Sequence, residues 1–233
     1  MASNVPIIDF HAHILPLVDH GSQSVEMSCA LLSQALQAGV TEIVATPHFY
    51  PHKMTVSEFL EKRKIGFDAL SKSVKGTPLE SVKIHLGAEV ALESSTKYLS
   101  ELDKLVIGGT KAILIEMPMF VRWQKWMFDA VCDIQYKRKL DVVLAHIDRY
   151  EERDVLSLID IAGCLSQINA SMVLTPGGRK KARQLCYDGL LHFIGSDVHD
   201  DVERNYKVLS KARKKLNGEM LEFFYSNSSE LLK

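Results

Sequence analysis

The chain has 233 residues, 46% of them hydrophobic, with 28 basic and 29 acidic side chains and a formal charge of −1. This length suits one α/β barrel domain with a sizeable core. The near-neutral balance gives no ground for a nucleic acid or an anionic membrane as partner. No apolar run reaches the roughly 18 residues of a membrane helix, and MASNVPIIDF lacks the basic-then-apolar order of a secretory leader. A cytoplasmic location without membrane insertion is therefore expected. Cys29, Cys132, Cys164 and Cys186 form no CxxC pair and are read as reduced thiols.

Short β-rich runs alternate with helical stretches along the chain. Strands are predicted at about 5–10, 42–46, 82–90, 111–116, 141–145, 165–169 and 191–196. A first helix runs from Ser24 to a cap at Gly39, burying Met27, Ala30, Leu31, Ala35 and Ala38. A second spans about Arg122–Arg138, where Trp123, Trp126, Met127, Ala130, Val131 and Ile134 form a stripe of helical period. A third covers Glu151–Ala162, with Val155, Leu158, Ile159 and Ala162 inward, and two more fill about 203–216 and 218–226. Seven strands with intervening helices imply a parallel sheet, closed into a (β/α)7 barrel. The alternative, an open doubly wound sheet, would lack the glycine-rich first turn of a dinucleotide site.

Chemistry-bearing residues gather at the C-terminal ends of these runs. They are His11 and His13 in FHAH, His20 in VDHG, His48 in TPHFY, Glu89 in GAEV, Glu116 in LIEMP, His146 and Arg149 in AHIDRY, and Asp197 and His199 in SDVH. Two histidines two apart on a strand point to one side. Imidazole suits zinc, manganese or iron, and carboxylates can bridge cations. Nine donors are too many for one tetrahedral ion and indicate a multinuclear centre. Asp9 either orients a ligating imidazole or caps a turn. His85 and His192 are read as structural, His192 on the face opposite the site, and His52 as a loop residue near enough to His48 to reach a substrate. There is no GxSxG elbow and no Walker A sequence. Cys132 and Arg138 have the bare spacing of a cysteine phosphatase loop, but they fall within the amphipathic helix and lack a glycine cradle.

Taken together, the HxH, TPH, GAE, LIE, AHxxRY and SDxH segments resemble the polymerase and histidinol phosphatase (PHP) superfamily. Within it, FHAHILPLVDHG, IVATPHFYP, GAEV, LIEMP, VLAHIDRY, QIN and GSDVH are most similar to the manganese-dependent protein-tyrosine phosphatases of bacterial capsule and exopolysaccharide synthesis. The resemblance implies a distorted, TIM-like (β/α)7 barrel of the PHP type, with residues 1–233 as a single metallophosphatase domain. It implies three divalent ions, manganese first, with iron, zinc or magnesium as alternatives. His11, His13 and Asp197 would hold the first ion, Glu89 would bridge the first and second, Glu116 and His146 would complete the second, and His48 and His199 would hold the third. The family's third ion also takes a carboxylate from an Asp-Asp-Gly turn. Here that turn is Asp19-His20-Gly21, so either His20 or Asp19 would ligate.

The implied substrate is the phosphotyrosine-bearing tail of a membrane-associated tyrosine kinase. The implied mechanism is attack of a metal-activated hydroxide on phosphorus. Arg149 matches the family's catalytic arginine and would grip the phosphoryl group, unless it pairs with Glu151 or Glu152. Phe49 and Tyr50 are candidates to line the mouth and stack on a substrate ring. A histidinol-phosphate or other small-molecule phosphatase of the same superfamily is an alternative, as is a non-catalytic binding module, and oligomeric state is left open. If metal chemistry replaces a cysteine nucleophile, Cys132→Ala keeps its hydrolytic activity. Loss of turnover by the folded variant would overturn the metal reading.

Overall fold

The computed structural model describes residues 5–200 and 205–233. The strands are β1 (Ile7–Ala12), β2 (Val40–Ala45), β3 (His48–Phe49), β4 (Lys83–Leu86), β5 (Glu89–Ala91), β6 (Ala112–Glu116), β7 (Asp141–Leu144), β8 (Leu165–Asn169) and β9 (Phe193–Gly195). The helices are α1 (Val25–Ala38), α2 (Val56–Val74), α3 (Lys125–Cys132), α4 (Glu152–Ala162), α5 (Pro176–Tyr187), α6 (Lys207–Lys215) and α7 (Gly218–Leu231). No helix among the described residues is long and apolar enough to cross a membrane.

All strand pairs are parallel. One sheet has the order β1-β2-β4 and the other β3-β5-β6-β7-β8-β9. The result is a mixed α/β fold around a curled parallel sheet. β1 is buried at every position, as expected of a parallel strand covered on both faces. One predicted strand is divided, and another is continued beyond its expected end by a short strand. The 82–90 run divides into β4 and β5 around Gly87-Ala88, and β2 ends at Ala45 and is followed by Thr46-Pro47 and then β3. Proline has no N–H for the ladder. The two breaks run side by side, because the Gly87 N–H donates to Ala45 O (2.8 Å) and the Glu89 N–H to Pro47 O (3.0 Å). At the far edge, the chain leaving β9 meets the end of β1. The Asp197 N–H donates to His11 O (2.8 Å), the His13 N–H to Val198 O (2.9 Å), and Ala12 bridges Val198.

Helix starts and stops follow local chemistry. Ser24 caps α1 by accepting the Met27 N–H, and Gly39 ends it at φ +81°, a conformation that costs glycine little. Helix α1 is turned slightly from the expected face and buries Leu32 and Ser28 with Leu31, Ala35 and Ala38. The predicted 122–138 helix becomes α3 followed by a π-helical turn, Asp133–Lys137. Helix α4 buries the four expected residues. Helices α2 and α5 are additions to the sequence reading. Thr55 and Glu58 form a reciprocal capping box at the start of α2, and Thr175 with Pro176 opens α5. Residues 203 and 204 of the predicted 203–216 helix lie outside the described residues, and α7 runs five residues past the expected end.

Apolar side chains form two layers. The larger packs the helices on the outer face of the sheets. The smaller comprises Phe10, Val44, Ile107, Ala112, Leu114, Val143, Ala145 and Phe193, drawn mainly from strand residues of β1, β2, β6, β7 and β9. The Phe10 and Phe193 rings stack with centroids 3.9 Å apart. Phe10 precedes His11 on β1 and Phe193 lies four residues before Asp197, so this inner plug supports the strand ends. Truncating it leaves a cavity in a close-packed interior. Phe193→Ala should cost about 3–5 kcal/mol of unfolding free energy, measured by urea denaturation of the metal-free protein. A loss below about 1 kcal/mol would show that the plug is not packed as described.

Candidate metal centre

His11 is on β1 and His13 follows one residue beyond it, so the i, i+2 spacing sends both rings to one side. Both are fully buried, and their Nε2 atoms lie 3.1 Å apart. Each ring is turned by a partner on its other nitrogen. His11 Nδ1 donates to Gln167 Oε1 (3.2 Å), which also accepts the His146 N–H (2.7 Å). His13 Nδ1 donates to Asp19 Oδ2 (2.7 Å). These bonds make Nδ1 the donor in each ring and turn both Nε2 atoms inward.

Asp19 is fully committed. Its Oδ2 also accepts the His48 N–H (2.7 Å) and its Oδ1 accepts the Gly21 N–H (2.8 Å). Gly21 is required here, since a Cβ would stand 2.5 Å from His13 Cβ and 2.5 Å from His13 O. Asp19 thus orients His13, whereas the exposed His20 stacks on His48 at 4.6 Å between centroids and lies tilted to His199 at 4.8 Å. Of the two residues, it is His20 that faces these rings.

Glu89 sits at the middle, 1% exposed. Its Oε1 is 2.9 Å from His146 Nε2, and its Oε2 is 3.3 Å from both His11 Nε2 and His13 Nε2 and 3.0 Å from His48 Nδ1. Glu116 closes the same side, 3.5 Å from His146 Nε2 and 3.8 Å from His48 Nδ1. Asp197 Oδ1 lies 3.5 Å from His13 Nε2 and 3.4 Å from His199 Nδ1. Its Oδ2 accepts from Asn169 Nδ2 (3.0 Å) and from the Arg149 guanidinium. Arg149 therefore pairs with Asp197 rather than with Glu151 or Glu152. His146 and Asp197 both have left-handed backbones, φ +31° and +53°, a strain typical of residues held for function.

The electrostatics follow from this crowding. Burial alone would push the His13 ring down, but the Asp19 carboxylate, helped by Asp197 and Glu89, holds it well above the usual histidine range. Burial would likewise lower His146, yet its bonds to Glu116 and Glu89 bring it up to about 9, against the opposing charge of Arg149. Burial tends to raise Glu89 and Asp197, and the surrounding imidazoles, with Arg149 at Asp197, overcome it and leave both carboxyls well below their ordinary value.

Three overlapping groups have ligand atoms within 4.8 Å of one another: His11, His13 and Glu89; His48, Glu89 and Glu116; and His13, His48 and His199. His48 Nδ1 and Glu89 Oε2, although 3.0 Å apart, have no hydrogen bond of acceptable geometry. Buried polar atoms in that condition are costly. A divalent cation answers this arrangement, because it accepts several inward lone pairs and offsets the buried carboxylates. The donor set of imidazoles and carboxylates fits that group.

Other singled-out residues lie elsewhere. Phe49 is a correction: its ring is fully buried, edge-on to Phe59 at 5.3 Å, and belongs to the core. The strand alternation turns it away from the face presented by His48. Tyr50 is half-buried and stacks 5.1 Å from His48. Burial, with Glu116, Glu89 and Asp19 adding to it, keeps its phenol protonated far above its usual range. Asp9 holds a turn, accepting the Ser196 N–H (2.7 Å) and hydroxyl (2.6 Å). His85 pairs with Glu42 (2.6 Å), His52 pairs with Glu93 (2.5 Å), and His192 accepts the Ser166 N–H (3.2 Å). The Cys132 thiol is pushed up by burial and by Asp129 and Asp133, the reverse of an activated nucleophile. Arg138 is spent on the carbonyls of Leu99 (2.7 Å) and Ser100 (3.2 Å). The sequence reading assigned no role to Gln167 or Asn169. Their signal was there in LSQIN, where polar side chains occupy a strand buried on both faces.

The chain matches the family model described as "Capsular polysaccharide synthesis, CpsB/CapC" over residues 7–233. It is 30% identical to the tyrosine-protein phosphatase CpsB of Streptococcus pneumoniae, across 83% of each chain. It is 28% identical to the tyrosine-protein phosphatase YwqE of Bacillus subtilis, across 97% of this chain and 91% of that one. Its fold is like that of the solved structures of B. subtilis YwqE and S. pneumoniae CpsB, described as metal-dependent tyrosine phosphatases, with a TM-score of 0.76 at 24% identity over 97% of this chain and 94% of the other. With the family pattern met over nearly its whole length, this chain belongs to the CpsB/CapC capsular polysaccharide synthesis family.

Proposed function

We propose that this chain is one metallophosphatase domain, residues 1–233, which hydrolyses phosphotyrosine on the tail of a membrane-associated tyrosine kinase and so regulates capsule or exopolysaccharide synthesis from the cytoplasm. The observation that carries the reading is the Glu89 carboxylate, 2.9–3.3 Å from four imidazoles on three other strands and their extensions. The names of the relatives support the substrate class. The Ala12–Val198 bridge and the bonds beside it support closure of the curled sheet into a distorted, PHP-type (β/α)7 barrel.

Three divalent cations, manganese by resemblance, would be held by His11, His13, Asp197, Glu89, Glu116, His146, His48, His199 and His20. The three overlapping donor groups support that number. When bound, such ions supply an activated water at neutral pH and neutralise phosphoryl charge. The chain's own residues do the rest. Gln167 and Asp19 keep His11 and His13 in one tautomer and one orientation. Arg149, whose side chain is 35% exposed at the edge of the cluster, is suited to clamp two phosphoryl oxygens through its planar fork. Tyr50, kept neutral, offers an O–H donor and a ring face at the mouth. A tyrosine phenolate, with a pKa of about 10, is a fair leaving group.

The test is phosphate release from a phosphotyrosyl peptide with Mn²⁺ or with chelator, and from histidinol phosphate in parallel. Release from the peptide that chelator abolishes is expected. Release from histidinol phosphate alone would change the substrate, and activity that survives chelator would overturn the metal site. His13→Ala and Glu116→Ala should each lower kcat by about 100-fold or more and reduce bound metal. A folded variant with full activity and full metal content would remove that residue from the centre.

A further inference from the structure

The loop after β6 and the turn after β7 leave the metal centre together and enclose a groove. Glu116 and His146 begin the two segments, and Tyr150 ties them, its hydroxyl accepting the Met117 N–H at 3.0 Å. The groove holds about 420 Å³ and is lined by Phe120, Arg122, Trp123, Arg149, Tyr150 and Asp154, among others, a volume within the roughly 300–1,000 Å³ range of ligand sites. Its floor is aromatic, with Trp123 edge-on to Tyr150 at 5.2 Å. Tyr150 continues inward to His146, 5.5 Å ring to ring. Arg149 belongs to both places, lining the groove and bonding Asp197 of the centre.

The lip is the unusual part. Phe120 is fully exposed, at 101%, and its backbone is left-handed, φ +60°. Its neighbours Met119 and Val121 are also exposed. A β-carbon residue in that region is strained, and three successive exposed apolar side chains are disfavoured in water. The lining charges are of both signs, Arg122 and Arg149 against Glu151 and Asp154, so outside the phosphoryl clamp the groove selects for apolar surface over net charge.

Resting on the phosphotyrosine reading above, we infer that this groove binds the substrate chain beside the phosphotyrosine and seats an apolar or aromatic flanking side chain between Phe120 and the Trp123–Tyr150 floor. A small phosphoester would use the metal centre and Arg149 alone. A phosphopeptide would also use the groove, through the edge and face contacts that aromatic rings favour.

The test pairs Phe120→Asp and Phe120→Ala with wild type on three substrates: a phosphotyrosyl peptide with a flanking phenylalanine, the same peptide with glycine there, and p-nitrophenyl phosphate. For the phenylalanine peptide, Phe120→Asp should lower kcat/KM about tenfold, chiefly through KM, and by about fivefold more than for p-nitrophenyl phosphate. The glycine peptide should be a poorer substrate for wild type and should lose less on substitution. Equal losses on all three substrates, or no loss, would overturn the groove. Binding of a non-hydrolysable phosphonate peptide, followed by calorimetry in the metal-loaded protein, separates the two claims. Binding that weakens about tenfold in Phe120→Asp supports the groove even where wild type shows no turnover, which would instead count against the phosphatase reading. Affinity unchanged by the substitution overturns the groove even if wild type hydrolyses the peptide. Melting temperatures equal to wild type establish that the exposed loop variants are folded.

Discussion

Everything in this site depends on the burial of the Glu89 carboxylate among imidazoles. A charge removed from water is expensive unless paired and hydrogen-bonded. Here part of the compensation comes from His11 and His13 on β1 and its extension, His48 on β3 and His146 after β7. No short segment can bring four such rings to one carboxylate. Only strands whose C-terminal ends meet can do so, so the curled parallel sheet and the cluster require each other. The inner plug of Phe10 and Phe193 supports that meeting from below, and the cost of the polar layer above it is offset by the apolar burial of the larger outer core.

A ring of amides and carboxylates then decides where each donor points. Gln167 serves two ligand segments with one oxygen, His11 through its ring and His146 through its backbone. Asp19 does the same for His13 and His48. Asp9 pins the Ser196 turn that leads into Asp197. Close approach needs small residues: at Gly195 a Cβ would lie 2.5 Å from His11 Cβ and 2.8 Å from Gln167 Nε2. The left-handed backbones of His146 and Asp197 belong to the same economy, local strain accepted to aim a donor.

His20, which stands where the family resemblance leads one to expect a carboxylate, lies at the outer part of this cluster. It adds a ring nitrogen to the side chains there, with its centroid 4.6 Å from that of His48 and 4.8 Å from that of His199. Nitrogen donors favour zinc or iron relative to manganese or magnesium. Asp19 is bound to His13, His48 and Gly21, so turning it outward would break those bonds. The aromatic groove past Arg149 is built from the segments that follow Glu116 and His146, so one pair of strand ends leads into both the cluster and the groove.

By itself the sequence indicated most of the periodic elements and the candidate donors. Alternating β-rich runs and helical stripes indicated a parallel α/β fold, and α4 and the end of α1 at Gly39 are where local pattern and capping predict them. Helices α2 and α5 carried local signals too, in the Thr55–Glu58 capping box and Thr175-Pro176. His11 and His13 are legible because two residues of strand make one face. The tertiary structure alone decided the rest, since it depends on residues far apart in the chain. It broke the strands at Thr46-Pro47 and Gly87-Ala88, turned Phe49 into the core beside Phe59, and paired Arg149 with Asp197 across 48 positions. It gave Gln167 its role 156 positions from His11. Local sequence encodes period and capping, which act over a few residues, whereas a buried polar group's partner is chosen by desolvation, which acts on whatever the fold brings within hydrogen-bond reach.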